Sequence, residues 1–294
     1  MATVGDGDYT YEMVNGWGNL PPGWSFGEVS AVAVDSQDRV YAFQRKDPPV
    51  IVLDRDGNYL DSWGDGTITF AHGIYIGADD HIYLTDRDVH LAIKYTLDGK
   101  PLLTLGNRGV PSDTGCTEDS GTVLRAAGPF NKPGGMVDSP SGDLYVADGY
   151  RNSRVHRFDA NGTLISSWGE PGHTAPGEFH VPHCLWIDRD GLVYVCDRDN
   201  SRIQVFSSTG EFRAMWTGFH RPTAVYMDSS ETLYISDLSP SISVCDKQGN
   251  VLARWHAPGG SHWVYGDSRG DLYMTEAGAS FGGNQKITKF VKRG

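Results

Sequence analysis

Short apolar runs alternate with polar turns along nearly the whole chain. Residues 179–218 show the pattern most clearly, with apolar runs at 181–187, 193–196, 202–206 and 212–216. Turns at 188–191 and 207–210, each ending in glycine, and a polar loop at 197–200 separate these runs. Runs that are rich in β-branched and aromatic residues, with such turns between them, are typical of antiparallel strands. The segment therefore predicts a unit of four short strands.

The unit recurs with a period near 40 residues, which is typical of a propeller or a solenoid. The last copy lacks a fourth strand, whereas residues 11–18 resemble a fourth strand with no copy before them. Joining the two ends would close a ring and remove the exposed strand edges of a linear array. We predict an all-β, single-domain, six-bladed β-propeller of four-stranded antiparallel blades, in which the N-terminal strand completes the last blade. The predicted blades are 26–64, 70–106, 130–169, 179–218, 219–256 and 260–291 with 11–18.

Two stretches interrupt the period. Residues 107–129, between the second and third copies, are rich in Gly, Ser, Thr and Asp, and 170–178 is a shorter Gly/Pro-containing loop. Such insertions lie on the surface and often carry function. The sequence leaves open whether 107–129 closes over a site as a lid.

Composition narrows the class of partner. The net charge of −12 argues against nucleic acid and anionic membranes, which both need a basic face. No apolar run is long enough to span a bilayer, and no signal peptide is visible. The four cysteines follow no disulfide spacing. We therefore expect a cytoplasmic protein that acts on a small molecule, although a chain from which a leader had been trimmed would look the same.

Three histidines occupy one register position of the repeat. His72, His183 and His262 begin the innermost strand of the second, fourth and sixth copies. In a ring, alternate blades would bring these imidazoles together at one mouth of the central channel. Three imidazoles with open positions for water or substrate form the donor set of catalytic zinc sites. The pattern predicts a three-histidine Zn²⁺ site, although iron, cobalt or manganese also suits these ligands.

Loops between second and third strands should open at the same mouth. The loop 148–154 of blade three is one residue longer than the loop 197–202 of blade four, and it presents Tyr150. A phenol beside a metal and a cation is suited to act as a general base. Blade one presents Arg45, which would hold a carboxylate or polarise the phenol. We interpret the loop 197–202 as scaffold.

The repeats at 145–162 and 194–210 resemble NHL repeats. The predicted site resembles the lyase domain of the peptidylglycine α-amidating enzymes, and the resemblance extends over essentially the whole propeller. It is carried by His72-Gly73, Pro182-His183 and the segment Asp148-Gly149-Tyr150-x-Asn152-Ser153-Arg154, whereas His262 and residues 43–45 fit less literally.

The resemblance implies a zinc-dependent C–N lyase that splits a carbinolamide, R-CO-NH-CH(OH)-COO⁻, into an amide and an aldehyde such as glyoxylate. It implies zinc on His72, His183 and His262, Tyr150 as the general base, and Arg45 beside the developing negative charge. The family's calcium-binding aspartate corresponds to Trp263 here, so a structural Ca²⁺ is doubtful. A small hydroxylated amide is a more plausible substrate than a peptide hormone.

Two other classes remain open. One is a different metal-dependent reaction at the same site, either an elimination or hydration, or the lactone hydrolysis that six-bladed propellers also host with carboxylate and Asn ligands. The other is a non-catalytic NHL interaction module, for which a basic face or attached domains would be expected. The three histidines favour the lyase.

Overall fold

The computed structural model describes residues 2–14, 16–117, 119–239, 241–276 and 286–293. These residues form strands joined by tight turns, together with one short 3-10 helix, η1 (Arg198–Asn200). No helix in this described part of the chain has the length and apolar character needed to span a membrane.

In chain order the strands of the N-terminal half are β1 (Ala2–Asp6), β2 (Tyr9–Val14), β3 (Val29–Val34), β4 (Val40–Gln44), β5 (Val50–Leu53), β6 (Tyr59–Trp63), β7 (Ala71–Ile76), β8 (His81–Asp86), β9 (Leu91–Thr96), β10 (Pro101–Leu105), β11 (Gly135–Asp138), β12 (Leu144–Asp148) and β13 (Arg154–Phe158). The remaining strands are β14 (Leu164–Trp168), β15 (Glu170–Pro171), β16 (Glu178–Phe179), β17 (Pro182–Ile187), β18 (Val193–Asp197), β19 (Arg202–Phe206), β20 (Phe212–Trp216), β21 (Pro222–Met227), β22 (Leu233–Asp237), β23 (Ser241–Cys245), β24 (Val251–His256), β25 (Ser261–Gly266), β26 (Leu272–Glu276) and β27 (Ile287–Arg293).

These strands form a six-bladed β-propeller, as the repeat predicts. Five blades are four-stranded sheets in sequence order: β3 to β6, β7 to β10, β11 to β14, β17 to β20 and β21 to β24. The sixth blade has the order β1-β2-β27-β26-β25. Short chain segments separated by tight turns favour this arrangement, because each strand finds its partner next to it in sequence.

The N-terminal strand completes the last blade. Strand β2 pairs antiparallel with β27, so that Met13 lies opposite Phe290. The strand covers Tyr9–Val14, not the predicted 11–18, and β1 adds a fifth strand that the repeat did not predict. Within the predicted last blade, residues 277–285 lie outside the described residues, as does position 15 in the predicted N-terminal strand.

The chain divides into two compact units: Met1–Ala71 with Thr223–Gly294, and His72–Pro222. The first unit contains blades one, five and six apart from Pro222, the first residue of β21. The second contains blades two, three and four apart from Ala71, the first residue of β7.

The same buried tyrosine recurs in the second strand of every blade. In blade four the hydroxyl of Tyr194 donates to Asp188 in the preceding turn at 3.0 Å, and in blade six Tyr273 donates to Asp267 at 3.0 Å. A buried phenol usually finds such a hydrogen-bond partner. In blades one, four, five and six the tyrosine and the turn aspartate therefore tie the hairpin to the core. The six tyrosines are Tyr41, Tyr83, Tyr145, Tyr194, Tyr234 and Tyr273, each no more than 2% exposed.

All four cysteines are free thiols. Burial raises the pKa of the Cys245 thiol to about 12 and that of Cys196 well above its ordinary value. Thiols that are held protonated in this way are poor nucleophiles, so these two cysteines act as packing residues.

Free thiols do not establish where the protein is located, and a cytoplasmic location stays a prediction.

Candidate metal centre

His72 and His183 lie near the starts of β7 and β17, and both side chains are fully buried. The Nδ1 of His72 donates to the Gly134 carbonyl oxygen at 2.6 Å. A carbonyl can only accept, so this bond leaves the lone pair of the neutral ring on Nε2. The two imidazoles meet edge to face, with ring centroids 4.8 Å apart.

Gly134 permits this close approach. A Cβ at Gly134 would lie 2.2 Å from the His183 carbonyl oxygen, a distance that no side chain tolerates. The blade that carries His183 can therefore pack directly against the backbone that orients His72. Glycine is used in this way where two backbones must come close together.

His262 belongs to the other compact unit, at the start of β25. Its Nδ1 donates to the Ser30 carbonyl oxygen at 2.6 Å, and Thr275 donates to the same oxygen at 3.0 Å. His262 as a whole residue is partly exposed, whereas His72 and His183 are fully buried. The backbone bond fixes its tautomer in the same way as the Gly134 bond fixes that of His72.

The three predicted ligands, His72, His183 and His262, could together hold a metal ion. His72 and His262 both direct Nδ1 to a backbone carbonyl, the outer-shell contact that is usual for metal-binding histidines. The donor set and its support therefore fit a divalent transition metal.

Trp263 follows the third histidine in β25. Its side chain is 4% exposed, and its ring centroid lies 6.2 Å from that of His262. An indole offers no oxygen ligand, so this position cannot supply the carboxylate that calcium prefers.

Tyr150 lies against the first two histidines. Its hydroxyl oxygen is 2.9 Å from His72 Nε2 and 3.0 Å from His183 Nε2. The residue stands in the loop between β12 and β13, where its backbone N–H donates to the Lys132 carbonyl oxygen at 3.3 Å. These contacts join Tyr150 to two of the three predicted ligands, and its catalytic role stays a prediction.

The buried carboxylate of Asp148 holds the Tyr150 loop. It accepts hydrogen bonds from the backbone N–H of Asn131 at 3.0 Å, from Asn152 Nδ2 at 2.9 Å and from His156 Nε2 at 3.3 Å. These bonds satisfy a carboxylate that is fully removed from water, as a buried charge requires. Asp148 thus holds the loop that carries Tyr150 in place.

Two arginines contact Tyr150, and the sequence did not predict either of them. Arg198 Nη1 donates to the Tyr150 hydroxyl at 3.2 Å. The guanidinium of Arg87 lies over the ring, 4.7 Å from its centroid. The interpretation of the whole loop 197–202 as scaffold is therefore incomplete, because Arg198 reaches the site.

A register signal for these arginines is present in the sequence. Arg45, Arg87 and Arg198 each follow the last residue of a second strand, β4, β8 and β18. Blade three has Gly149 at the same position, one residue before Tyr150. Comparing that single position across the blades would have selected all three arginines.

Asp199 holds Arg198 in place. Its carboxylate accepts hydrogen bonds from Arg198 Nε at 2.8 Å and from Arg221 Nε at 3.0 Å. Burial raises the pKa of Asp199, but the hydrogen bonds and charges of the two arginines outweigh it and hold the pKa below its usual value. Burial likewise opposes the charge of Arg198, yet Tyr150 and Asp199 raise the pKa of its guanidinium.

Arg45 has its own partners within the other compact unit. It forms an ion pair with Glu28, and its Nε donates to the Ala71 carbonyl oxygen at 3.2 Å. Its guanidinium also lies 4.0 Å from the ring centroid of Phe70. The backbone of Ala71 immediately precedes His72, so Arg45 is tied to the start of a ligand-bearing strand, and its catalytic role stays a prediction.

Comparison with known families identifies NHL repeats in two blades of this protein. The NHL repeat family model matches residues 130–158 and 179–206, which are blades three and four. The chain therefore carries NHL repeats in these two blades of its six-bladed β-propeller. A solved gluconolactonase from Xanthomonas campestris has a TM-score of 0.66 to this chain at 16% identity, over 92% of this chain and 87% of that one. At this identity the likeness shows the fold alone.

The relatives that are similar in sequence include an NHL repeat-containing protein and a probable lyase. NHL repeat-containing protein 3 of Homo sapiens is 32% identical over 219 residues, and the match covers 70% of this chain and 59% of that protein. A probable peptidyl-alpha-hydroxyglycine alpha-amidating lyase of Caenorhabditis elegans is 31% identical over 219 residues, covering 65% of this chain and 59% of that protein. The match thus spans well under two thirds of either relative. Proteins named as lyases are among the relatives, which supports an enzymatic function for this chain.

Proposed function

We propose that this protein is a metal-dependent lyase that cleaves a carbinolamide, R-CO-NH-CH(OH)-COO⁻, to an amide and glyoxylate. The observation that carries the proposal is the Tyr150 hydroxyl, which lies 2.9 and 3.0 Å from the Nε2 atoms of His72 and His183. A group that can move a proton is thereby set directly beside a candidate metal centre. The proposed substrate is a small molecule that bears a carboxylate.

His72, His183 and His262 would hold the metal, with Zn²⁺ as the proposed ion. When bound, it would supply Lewis acidity at the substrate hydroxyl. The imidazoles are suited to this task because backbone carbonyls orient two of the three rings before any ion arrives.

Tyr150 would move the proton. In its deprotonated form, Tyr150 would accept the proton of the substrate hydroxyl as the C–O bond becomes double and the C–N bond breaks. Tyr150 would then return this proton to the departing amide nitrogen, so that one amide and one aldehyde form with atoms balanced. Arg198, 3.2 Å from the phenol oxygen, stabilises negative charge on that oxygen. Arg45 is proposed to hold the substrate carboxylate.

Glyoxylate release tests this function. The purified protein, treated with chelator and then supplied with Zn²⁺, should release glyoxylate from N-benzoyl-α-hydroxyglycine above the spontaneous rate. The chelated protein without added metal should not. Equal rates with and without protein would contradict the lyase and leave a binding module as the better interpretation.

A metal-dependent lactonase is the other enzymatic candidate. It is considered because a solved gluconolactonase shares the fold. A shared fold does not by itself indicate a shared reaction. Gluconolactone offered to the same metal-loaded protein provides the comparison, and we expect no hydrolysis above the blank.

A further inference from the structure

A cavity of about 330 Å³ adjoins Tyr150 within the His72–Pro222 unit. It lies between blades three and four, where Gly149, Tyr150 and Val181 contribute to its wall. Val181 precedes His183 by two residues, so the cavity and the candidate metal centre share one stretch of chain. We infer that this cavity is the subsite for the acyl group R of the substrate, an inference that rests on the proposed function.

The repeat does not supply the outer walls of the cavity. One wall is formed by residues 120–123 of the 107–129 excursion, and the other by residues 171–173 of the 170–178 loop. These are the two stretches that depart from the blade period. Both departures therefore meet beside the same phenol, which indicates a site and not two unrelated surface loops.

The 170–178 wall is rigidly built. One carboxylate oxygen of Glu178 accepts the backbone N–H groups of His173, Thr174 and Ala175 at 2.9 to 3.0 Å. The backbone hydrogen bonds lower the pKa of Glu178, so the carboxylate stays charged and keeps these bonds. Gln204 Nε2 donates to the Glu178 carbonyl oxygen at 2.8 Å and ties the loop to blade four.

The opposite wall is also anchored. Asn152 exchanges two hydrogen bonds with the backbone of Ala127, at 3.3 and 3.2 Å. Further out, the backbone N–H of Leu124 donates to the Thr114 carbonyl oxygen at 3.0 Å. The excursion therefore returns to the Tyr150 loop through Asn152, which itself donates to Asp148. This wall is positioned by the same residues that position Tyr150.

The lining selects an uncharged group. Among the described residues that line the cavity there is no carboxylate, lysine or arginine. Apolar surface comes from Val123, Pro171 and Phe179, and the rings of His173 and His180 meet edge to face with centroids 4.9 Å apart. Flat rings prefer such edge-to-face surroundings. The cavity is thus suited to an aromatic or other compact apolar acyl group.

The size of the cavity limits the substrate. A volume of about 330 Å³ is at the low end of the range of roughly 300 to 1,000 Å³ for small-molecule sites. A cavity of about 150 Å³ already admits a benzene ring, so this volume accommodates an acyl group of one or two rings, whereas several residues of an extended peptide exceed it. Gly149 keeps the wall close, because a Cβ there would lie 2.1 Å from the Pro182 carbonyl oxygen.

Binding of two unreactive analogues tests the subsite without relying on turnover. Titration calorimetry should find that N-benzoylglycine binds the metal-loaded protein about tenfold more tightly than N-acetylglycine, since only the former buries a ring. Val123→Trp, which places an indole in the cavity, should abolish this preference and leave the affinity for N-acetylglycine unchanged. Thr122→Trp, made from an exposed position on the same wall, should do the same.

Val110→Trp is the matched control, because Val110 lies in the same excursion, is 61% exposed and does not line the cavity. It should keep the full preference. Equal affinity for the two analogues in the wild type, or an equal loss of both in the Val123 and Thr122 variants, would overturn the subsite. A preference that depends on Val123 and Thr122, but without glyoxylate release from the hydroxylated forms, would reject the proposed function and keep the subsite.

Discussion

In blades three and four, the loops between the second and third strands begin with the same residue but differ at their tips. Both start at a fully buried aspartate, Asp148 or Asp197, that accepts several hydrogen bonds and closes the loop. In blade three the next residues are Gly149 and Tyr150, whereas in blade four Arg198 follows the aspartate directly. The shared aspartate forms the scaffold, and the residues at the tip differ from one blade to the other.

The two loops show at which positions a repeat can carry residues of a functional site. Tyr150 and Arg198 approach one another from neighbouring blades, with the Arg198 guanidinium 3.2 Å from the phenol oxygen. Neither tip residue is needed to hold its own loop, because the aspartates do that. Tip residues and anchor residues should therefore respond to mutation in different ways.

Removal of the Tyr150 hydroxyl should have the largest effect. Tyr150→Phe should lower the kcat for glyoxylate release about 100- to 10,000-fold, because the group that accepts the proton is lost while the loop keeps its anchor. Tyr145→Phe is the control in the same blade, since its hydroxyl donates to the Ser208 carbonyl oxygen at 3.1 Å. An unchanged rate for Tyr150→Phe would remove this residue from the mechanism.

An anchor residue should affect stability instead. Arg202 is 4% exposed and donates to Asp197 Oδ2 at 2.6 Å. Arg202→Met leaves the aspartate buried without its ion-pair partner and should lower the free energy of unfolding by about 3 to 5 kcal/mol in denaturant titrations. Arg213→Met removes an exposed pair with Glu211 in the same blade and should change it by no more than about 1 kcal/mol.

Arg198 offers the sharpest contrast with Arg202. Arg198→Met should lower the kcat for glyoxylate release about 10- to 100-fold, because charge on the Tyr150 oxygen loses its partner. Its free energy of unfolding should fall by less than that of Arg202→Met. If Arg198→Met lost stability and kept full turnover, the distinction between tip and anchor residues would be wrong.

The smallest effect concerns the pH dependence of stability. The pKa of Asp199 lies below its usual value, so its ionised form stabilises the fold above its unfolded pKa of about 3.9, and this stabilisation is lost as the pH falls through the lower folded value. Asp199→Asn should therefore flatten the decline of unfolding free energy between about pH 5 and pH 3. The same slope in both proteins would show that Arg198 and Arg221 do not act on this carboxylate.

Much of the fold could be predicted from the repeat. A second-strand tyrosine and a glycine-closed or polar turn in every copy specify hairpins, and the missing last strand indicated how the ring closes. Strand β1 could not be predicted, because among the described residues no other blade has an equivalent fifth strand. Its pairing depends on a free edge of β2, a feature of the tertiary structure that periodicity does not report.

The site could be predicted in part for the same reason. His72, His183 and His262 differ from their counterparts in the other blades, so their common register was visible. Arg198 was not recognised, because its neighbours Asp197, Asn200 and Arg202 match the repeat and serve as scaffold. A guanidinium is long enough to reach a neighbouring blade, and the direction of that reach is set by Asp199.

The metal content of the purified protein tests the central claim most directly. After chelation and dialysis against Zn²⁺, elemental analysis should find about one zinc ion per wild-type chain and almost none in His183→Ala, since three imidazoles are needed for a closed ligand set. His81→Ala, which removes a partly exposed histidine paired with Asp79, should bind zinc as the wild type does. A wild-type protein that stays metal-free, or a His183→Ala variant that retains the full zinc content, would contradict the account.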